Sequence, residues 1–291
     1  MGLFTKKDPC VICGGKVKGI FPWRIDGQLI CNDCYGNVDL PNGATNHMTL
    51  EDFRAYMAFR EENQKLKQNF QVTQKIDFGI LDTKIVFDMN NRLICMDKNL
   101  DTTIFEGSQI KAFVIKEDFT PLLEGSAAGL YRYDSTVPER VMAMEPQIAM
   151  YRMEQQRRRA GRDGDKQPDL RFDIPEPFKK FIVDIWFEHP YWDVFEADMS
   201  GPIFYDCDPD INQYLDEYYR DVDQMEELAQ ALMQLAFPDV LEKSQAAVAS
   251  TTAPTVAVDA VEEIKRYKAL LDQGIITEEE FTAKKRQLLG I

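Results

Sequence analysis

Two pairs of cysteines, Cys10-Val11-Ile12-Cys13 and Cys31-Asn32-Asp33-Cys34, constrain this chain more than any other feature. Two residues between paired cysteines let both thiolates face one tetrahedral ion, and the seventeen residues between the pairs suit the hairpin of a zinc ribbon. Gly14-Gly15 and Tyr35-Gly36 follow the pairs, supplying glycines where a backbone must turn its amides toward sulfur. Cys10, Cys13, Cys31 and Cys34 are therefore expected to ligate a structural Zn2+. Four thiolates close the coordination shell and leave no position for a substrate water, so the motif speaks for a fold-pinning ion and not for a reaction. His47 has no vacancy to fill. The competing readings, two disulfides or a redox dithiol, are at odds with a chain of 291 residues that starts MGLFTKKD without an apolar signal stretch. Cys95 and Cys207 lie in unrelated contexts and are expected as small buried hydrophobes.

With 44% hydrophobic residues the chain can bury a core and carry small satellite modules. A net charge of -15 and a pI near 4.7 oppose general attraction to phosphate backbones or anionic lipid. No apolar run approaches the roughly 20 residues of a membrane-spanning helix. The expectation is a cytoplasmic protein with reduced thiols.

Along the chain, MTLEDFRAYMAFREENQKLK reads as a helix capped by Thr49 with Asp52, its apolar stripe formed by Leu50, Phe53, Tyr56 and Met57. From about Asn69 the pattern changes to short segments, FQVTQKI, TKIVFDM, RLICMD, TTIFEG and SQIKAFVIKED, broken by turn residues such as Asn90-Asn91, and these predict an antiparallel sheet. In KKFIVDIWFEH, Phe181, Val183, Ile185 and Phe187 alternate with Ile182, Asp184 and Trp186, a strand with bulk on both faces. The arginine-rich YRMEQQRRRAGRDGDKQPDLR between them suits a solvated excursion, and the acidic stretch from Asp184 to Glu227 a solvated surface. Asp208-Pro209 then predicts the start of a long helix through about Phe237, whose stripe from Ile211 to Leu235 should cap the sheet. SQAAVASTTAPTVAVDA reads as a flexible tether. After it, Gly274 and the Thr277–Glu280 capping box divide the last thirty or so residues into two helices.

That tail closely resembles the SHOCT domain, a short C-terminal helical hairpin of many bacterial proteins, at Ile264, Tyr267, Leu270, Leu271, Gly274, Ile275, Ile276, Thr277, Glu279, Glu280, Phe281, Lys284, Lys285 and Leu288. The resemblance implies an oligomerisation or docking module. A segment this short cannot enclose its own core, so Ile264, Leu271, Ile276, Phe281 and Leu288 need a partner surface. DPCVICGG and ICNDCYG followed by TLEDF resemble an uncharacterised bacterial family of N-terminal zinc-ribbon proteins that often end in this hairpin, which implies the metal and the module order and assigns no catalytic residue. Strands followed by one long packing helix resemble the bacterial pleckstrin-homology-like arrangement. The expected fold class is α+β: a four-cysteine zinc ribbon over 1–45, a connecting helix over 46–68, an antiparallel β-rich central domain with its capping helix over 69–238, a linker over 239–258, and the hairpin over 259–291.

Sharper readings fail on inspection of their templates. Asp206, Asp208, Asp210, Asn212 and Glu217 match a calcium loop until its sixth position, where Ile211 stands in place of glycine. His189 in EHPYWD has no nucleophile context and reads as a strand-end turn. The function these features favour is a non-enzymatic zinc-binding scaffold or adaptor that self-associates through its tail. The alternative is nucleic-acid binding on the ribbon, with Lys16, Lys18 and Arg24 on phosphate and Phe21 or Trp23 stacking on a base.

Overall fold

The computed structural model describes residues 9–240, apart from 20, 37, 79–82, 98, 161–170 and 173. The chain divides into Met1–Pro238 and Asp239–Ile291. The expected linker and hairpin, with Ile264, Leu271, Ile276, Phe281 and Leu288, lie outside the described residues.

The protein is mixed α and β with antiparallel sheets. Strands β1 (Trp23–Ile25) and β2 (Gln28–Ile30) form a hairpin through Asp26-Gly27, both at positive φ (49° and 75°), the pairing of residue type and backbone that a tight two-residue turn requires. A single helical turn, α1 (Asn32–Tyr35), follows. Helix α2 (Leu50–Asn69) starts at the expected capping box: the Asp52 amide donates to Thr49 Oγ1 at 3.1 Å and the Thr49 amide to the Asp52 carboxylate at 3.0 Å. Phe53 and Tyr56 of its stripe are fully buried, and Leu50 and Met57 half-buried.

The strands beyond α2 form two sheets where one was expected. One has the order β3 (Gln74–Phe78), β4 (Thr83–Asp88), β5 (Leu93–Cys95), β6 (Ile104–Glu106). The other has five strands, ordered β11 (Val194–Ser200), β10 (Lys180–Phe187), β7 (Ile110–Glu117), β8 (Thr120–Ser126), β9 (Gly129–Arg132). In β10 the alternation holds, with Phe181, Val183, Ile185 and Phe187 all buried on one face. Asp184, on the other face, corrects the expectation of an acidic solvated surface: it is only 5% exposed because Lys116, beside it on β7, pairs with its carboxylate.

Between β9 and β10 come α3 (Val137–Met142) and α4 (Glu145–Ala160), so the segment read as a solvated excursion is helical through Ala160. Met144, Ile148 and Tyr151 explain it: spaced four and three apart, they are buried together and anchor the helix.

Helix α5 (Ile211–Ala236) is capped by Asp210, whose carboxylate accepts from the Gln213 amide at 2.9 Å. The expected cap, Asp208, is instead held in a turn, its amide donating to the Tyr205 carbonyl at 3.1 Å. Tyr218, Met225, Leu228, Leu232 and Leu235 are buried, and Tyr218 packs between Phe178 and Phe181 with ring centres 5.8 and 6.1 Å away. Glu117, almost buried beneath this helix, accepts from the Tyr218 hydroxyl and, at 2.7 Å, from Ser135 Oγ, so its carboxylate is not left unpartnered. The far end of α5 is clasped by Arg92, which donates to the Leu235 carbonyl from Nε at 3.1 Å and Nη2 at 2.9 Å.

Candidate metal centre

The two cysteine pairs form equivalent knuckles. In the first, the Gly14 amide returns to the Cys10 carbonyl at 2.8 Å, with Gly14 at φ 70°, and the Gly15 amide points at Cys13 Sγ at 3.4 Å. In the second, the Tyr35 amide returns to the Cys31 carbonyl at 3.0 Å and the Cys34 amide points at Cys31 Sγ at 3.4 Å. The Val11 amide donates to the Leu29 carbonyl at 3.0 Å, tying the first knuckle to the hairpin.

All four sulfurs lie within 4.8 Å of one another, and Cys13 Sγ is 3.5 Å from Cys31 Sγ. A tetrahedron of sulfurs about 2.3 Å from a central zinc has edges of about 3.8 Å, so the cage is of the right size for a metal ion. Cys10, Cys31 and Cys34 are buried and Cys13 is exposed; all four are free thiols. Beneath them Val17, Ile25, Ile30, Phe53 and Tyr56 pack into one apolar cluster that holds both knuckles at a fixed separation.

The thiols differ in acidity. Burial opposes the Cys10 thiolate, but the amides of Cys13, Cys31 and Ile12 outweigh it and bring its pKa down to about 6. Cys34 moves the other way, raised by burial and by its sulfur neighbours Cys31, Cys13 and Cys10. Cys13 is raised too: the Gly15 amide favours its thiolate, while hydrogen bonds with Cys31 and Cys10 outweigh that help. One thiolate forms readily here, while burial and sulfur–sulfur hydrogen bonds hold Cys34 and Cys13 protonated, so ion binding would have to displace their protons.

The other expected head residues do not converge. Lys16 and Lys18 are exposed on either side of buried Val17. Trp23 and Arg24 are consecutive in β1 and project from opposite faces. Trp23 stacks on Tyr35 with ring centres 3.9 Å apart and planes 6° from parallel, and Arg24 reaches back to the Gly27 carbonyl at 2.7 Å. Phe21 is 93% exposed. His47 sits exposed in the turn Ala44–His47 before α2. Of the two remaining cysteines, Cys95 is buried as expected, whereas Cys207 is exposed because it lies in the turn ahead of α5. His189 follows β10 as a strand-end residue, its Nδ1 accepting from the Tyr191 amide at 3.2 Å.

Three residues that hold the head in place carry no local sequence signal. Asp39 accepts from the Thr103 amide and, at 2.6 Å, from Thr103 Oγ1, and lies 3.7 Å from Arg60 of α2. Asn63 pairs with the edge strand β6 as a strand would, donating from Nδ2 to the Ile104 carbonyl at 2.7 Å and accepting from the Ile104 amide at 3.0 Å. Tyr191 lies against Tyr56 and Phe59 with ring centres 5.1 and 5.2 Å away. Only the Asp-Gly turn of the hairpin was available locally as a further signal of the head's fold.

Searches among curated proteins and among solved structures returned no match. The profile of the short C-terminal domain, SHOCT, matches residues 262–289, so the end of the chain is similar to that domain.

Proposed function

We propose that this chain is a non-enzymatic scaffold or adaptor of the cytoplasm, pinned at its head by zinc and self-associating through its C-terminal short domain. The observation that carries the reading is the closed cage of Cys10, Cys13, Cys31 and Cys34, which offers an ion four sulfur donors and no open position. Soft thiolates in tetrahedral array favour zinc over harder cations. When bound, zinc would contribute folding energy to the head. The match at 262–289 supports the tail's role, because so short a segment needs another surface to cover Ile264, Leu271, Ile276, Phe281 and Leu288. Copies gathered by their tails gain avidity for whatever the central part binds. Two antiparallel sheets followed by α5 support the pleckstrin-homology-like reading of that central part. Elemental analysis of purified protein, with light scattering of the intact chain against one ending at Ser250, tests the proposal: one zinc per chain and a larger intact assembly are expected, and equal masses overturn it. Exposed Phe21 and Trp23 favour one second reading, single-stranded nucleic acid on the head with help from the exposed Lys16 and Lys18, while Arg24 lies on the opposite face from Trp23. Its signature is affinity that falls steeply with salt.

A further inference from the structure

We propose that the outer face of α4 is a second self-association surface, on which two copies of this chain pair antiparallel. The helix is anchored on one side only. Ile148 and Tyr151 are buried, the Tyr151 hydroxyl donates to the Asp206 carbonyl at 2.8 Å, and Gln155 Nε2 donates to the Cys207 carbonyl at 3.1 Å. At about 100° per residue, Pro146, Met150, Met153 and Arg157 fall on the opposite side, within about 60° of one another. Met150 and Met153 are 71% and 70% exposed at the middle of this stripe. Methionine is unbranched and polarisable and packs well against irregular apolar surfaces, so two of them turned away from the core of their own chain are suited to an intermolecular contact.

The charges of α4 select the occupant. Its first turn carries the exposed carboxylate of Glu145, and its last turn the sequence Arg157-Arg158. A helix acidic at one end and basic at the other is complementary to a reversed copy of itself, and the opposed macrodipoles favour the same orientation. An antiparallel pair centred between Met150 and Met153 sets Met150 against the partner's Met153 and brings Arg157 level, within one residue, with the partner's Glu145. The two-fold axis repeats both contacts. Arg157 also grips Glu154 of its own helix with two nitrogens, Nε at 2.8 Å and Nη2 at 3.0 Å, and Arg158 shares that carboxylate at 3.1 Å, so the contact with the partner's Glu145 forms in exchange with this pair. The described α4 spans 16 residues, about 24 Å, and one helix pair of that length covers well under the roughly 1,200 Å² of stable complexes. The contact is therefore weak by itself and reinforces an assembly held elsewhere. It uses no residue of the tail.

The test is site-specific photo-crosslinking of the full chain with p-benzoylphenylalanine at position 150. The expected product is a covalent dimer in which position 150 is joined to the peptide carrying the partner's Met153. Glu145→Arg or Arg157→Glu alone should lower the dimer yield at least fivefold, and the two together should restore it. Crosslinks confined to the chain's own residues or to residues 259–291, or a double reversal no better than either single, overturn the proposal. Circular dichroism of the charge variants confirms that folding is intact, since both positions are on the surface. Tail-driven assembly is read separately, by the mass of the intact chain against that ending at Ser250, so failure of one reading is distinguishable from failure of the other.

Discussion

Removing the side chain of Asn63 should loosen the head from the four-stranded sheet, and the size of the loss follows from two hydrogen bonds. Asn63 is almost fully buried, and its amide group satisfies both the carbonyl and the amide of Ile104, at 2.7 and 3.0 Å, on the outer edge of β6. In Asn63→Ala neither backbone group has a replacement partner, and each buried unsatisfied group costs about 1–3 kcal/mol. Truncation recovers about 1 kcal/mol of side-chain ordering, leaving an expected loss of about 1–5 kcal/mol. That is a large share of the 5–15 kcal/mol typical of a whole domain. Urea unfolding followed by circular dichroism measures it as a lower midpoint at unchanged slope, and hydrogen exchange at the Ile104 amide should accelerate in step. Asn63→Asp keeps an acceptor for the amide but turns a carboxylate toward the carbonyl, so it should lose at least as much. A loss under about 0.5 kcal/mol in Asn63→Ala, with Ile104 exchange unchanged, would refute the reasoning.

Cys31→Ser removes a buried sulfur from the cage, and the expected result is loss of bound metal by elemental analysis together with loss of the near-ultraviolet signal of Trp23 stacked on Tyr35. Arg92→Ala strips the Leu235 carbonyl of its two donors at the end of α5 and should cost about 1–2 kcal/mol in chemical denaturation, with Arg92→Lys recovering part of it. Asp221 has its pKa pushed up to about 6, first by burial and then by Glu217, against the opposing pull of Arg220. A carboxyl whose folded pKa is raised burdens the fold once it ionises, so Asp221→Asn should raise the melting temperature at pH 7, with the gain fading as pH falls from about 6 to below 4.

What could be read from the sequence was whatever its own neighbours determine. The capping box of α2 and the alternation of β10 are local, and both appear where their residues stand. The cysteine knuckles are local as well, since each needs only five or six consecutive residues to form. Strand β8, TPLLEGS, contains a proline and a glycine and lacks alternation, so it becomes a strand only because β7 and β9 pair with it. The start of α5 was misplaced because Asp208 and Asp210 are equally good caps, and a turn with Tyr205 that no helix rule contains takes Asp208. Asp39, Asn63 and Tyr191 act across 41 to 135 positions of chain, beyond the reach of any short window.

Tyr191 also sets an order of events at the ribosome. The metal knuckles, the hairpin and α2 leave the exit tunnel long before the ring that lies against Tyr56 and Phe59, so the nascent head waits with those two aromatics uncovered until β10 and the turn after it have been made. Early capture of the ion would hold the thiols together through that interval, while completion of the head depends on translation of a segment more than a hundred codons downstream.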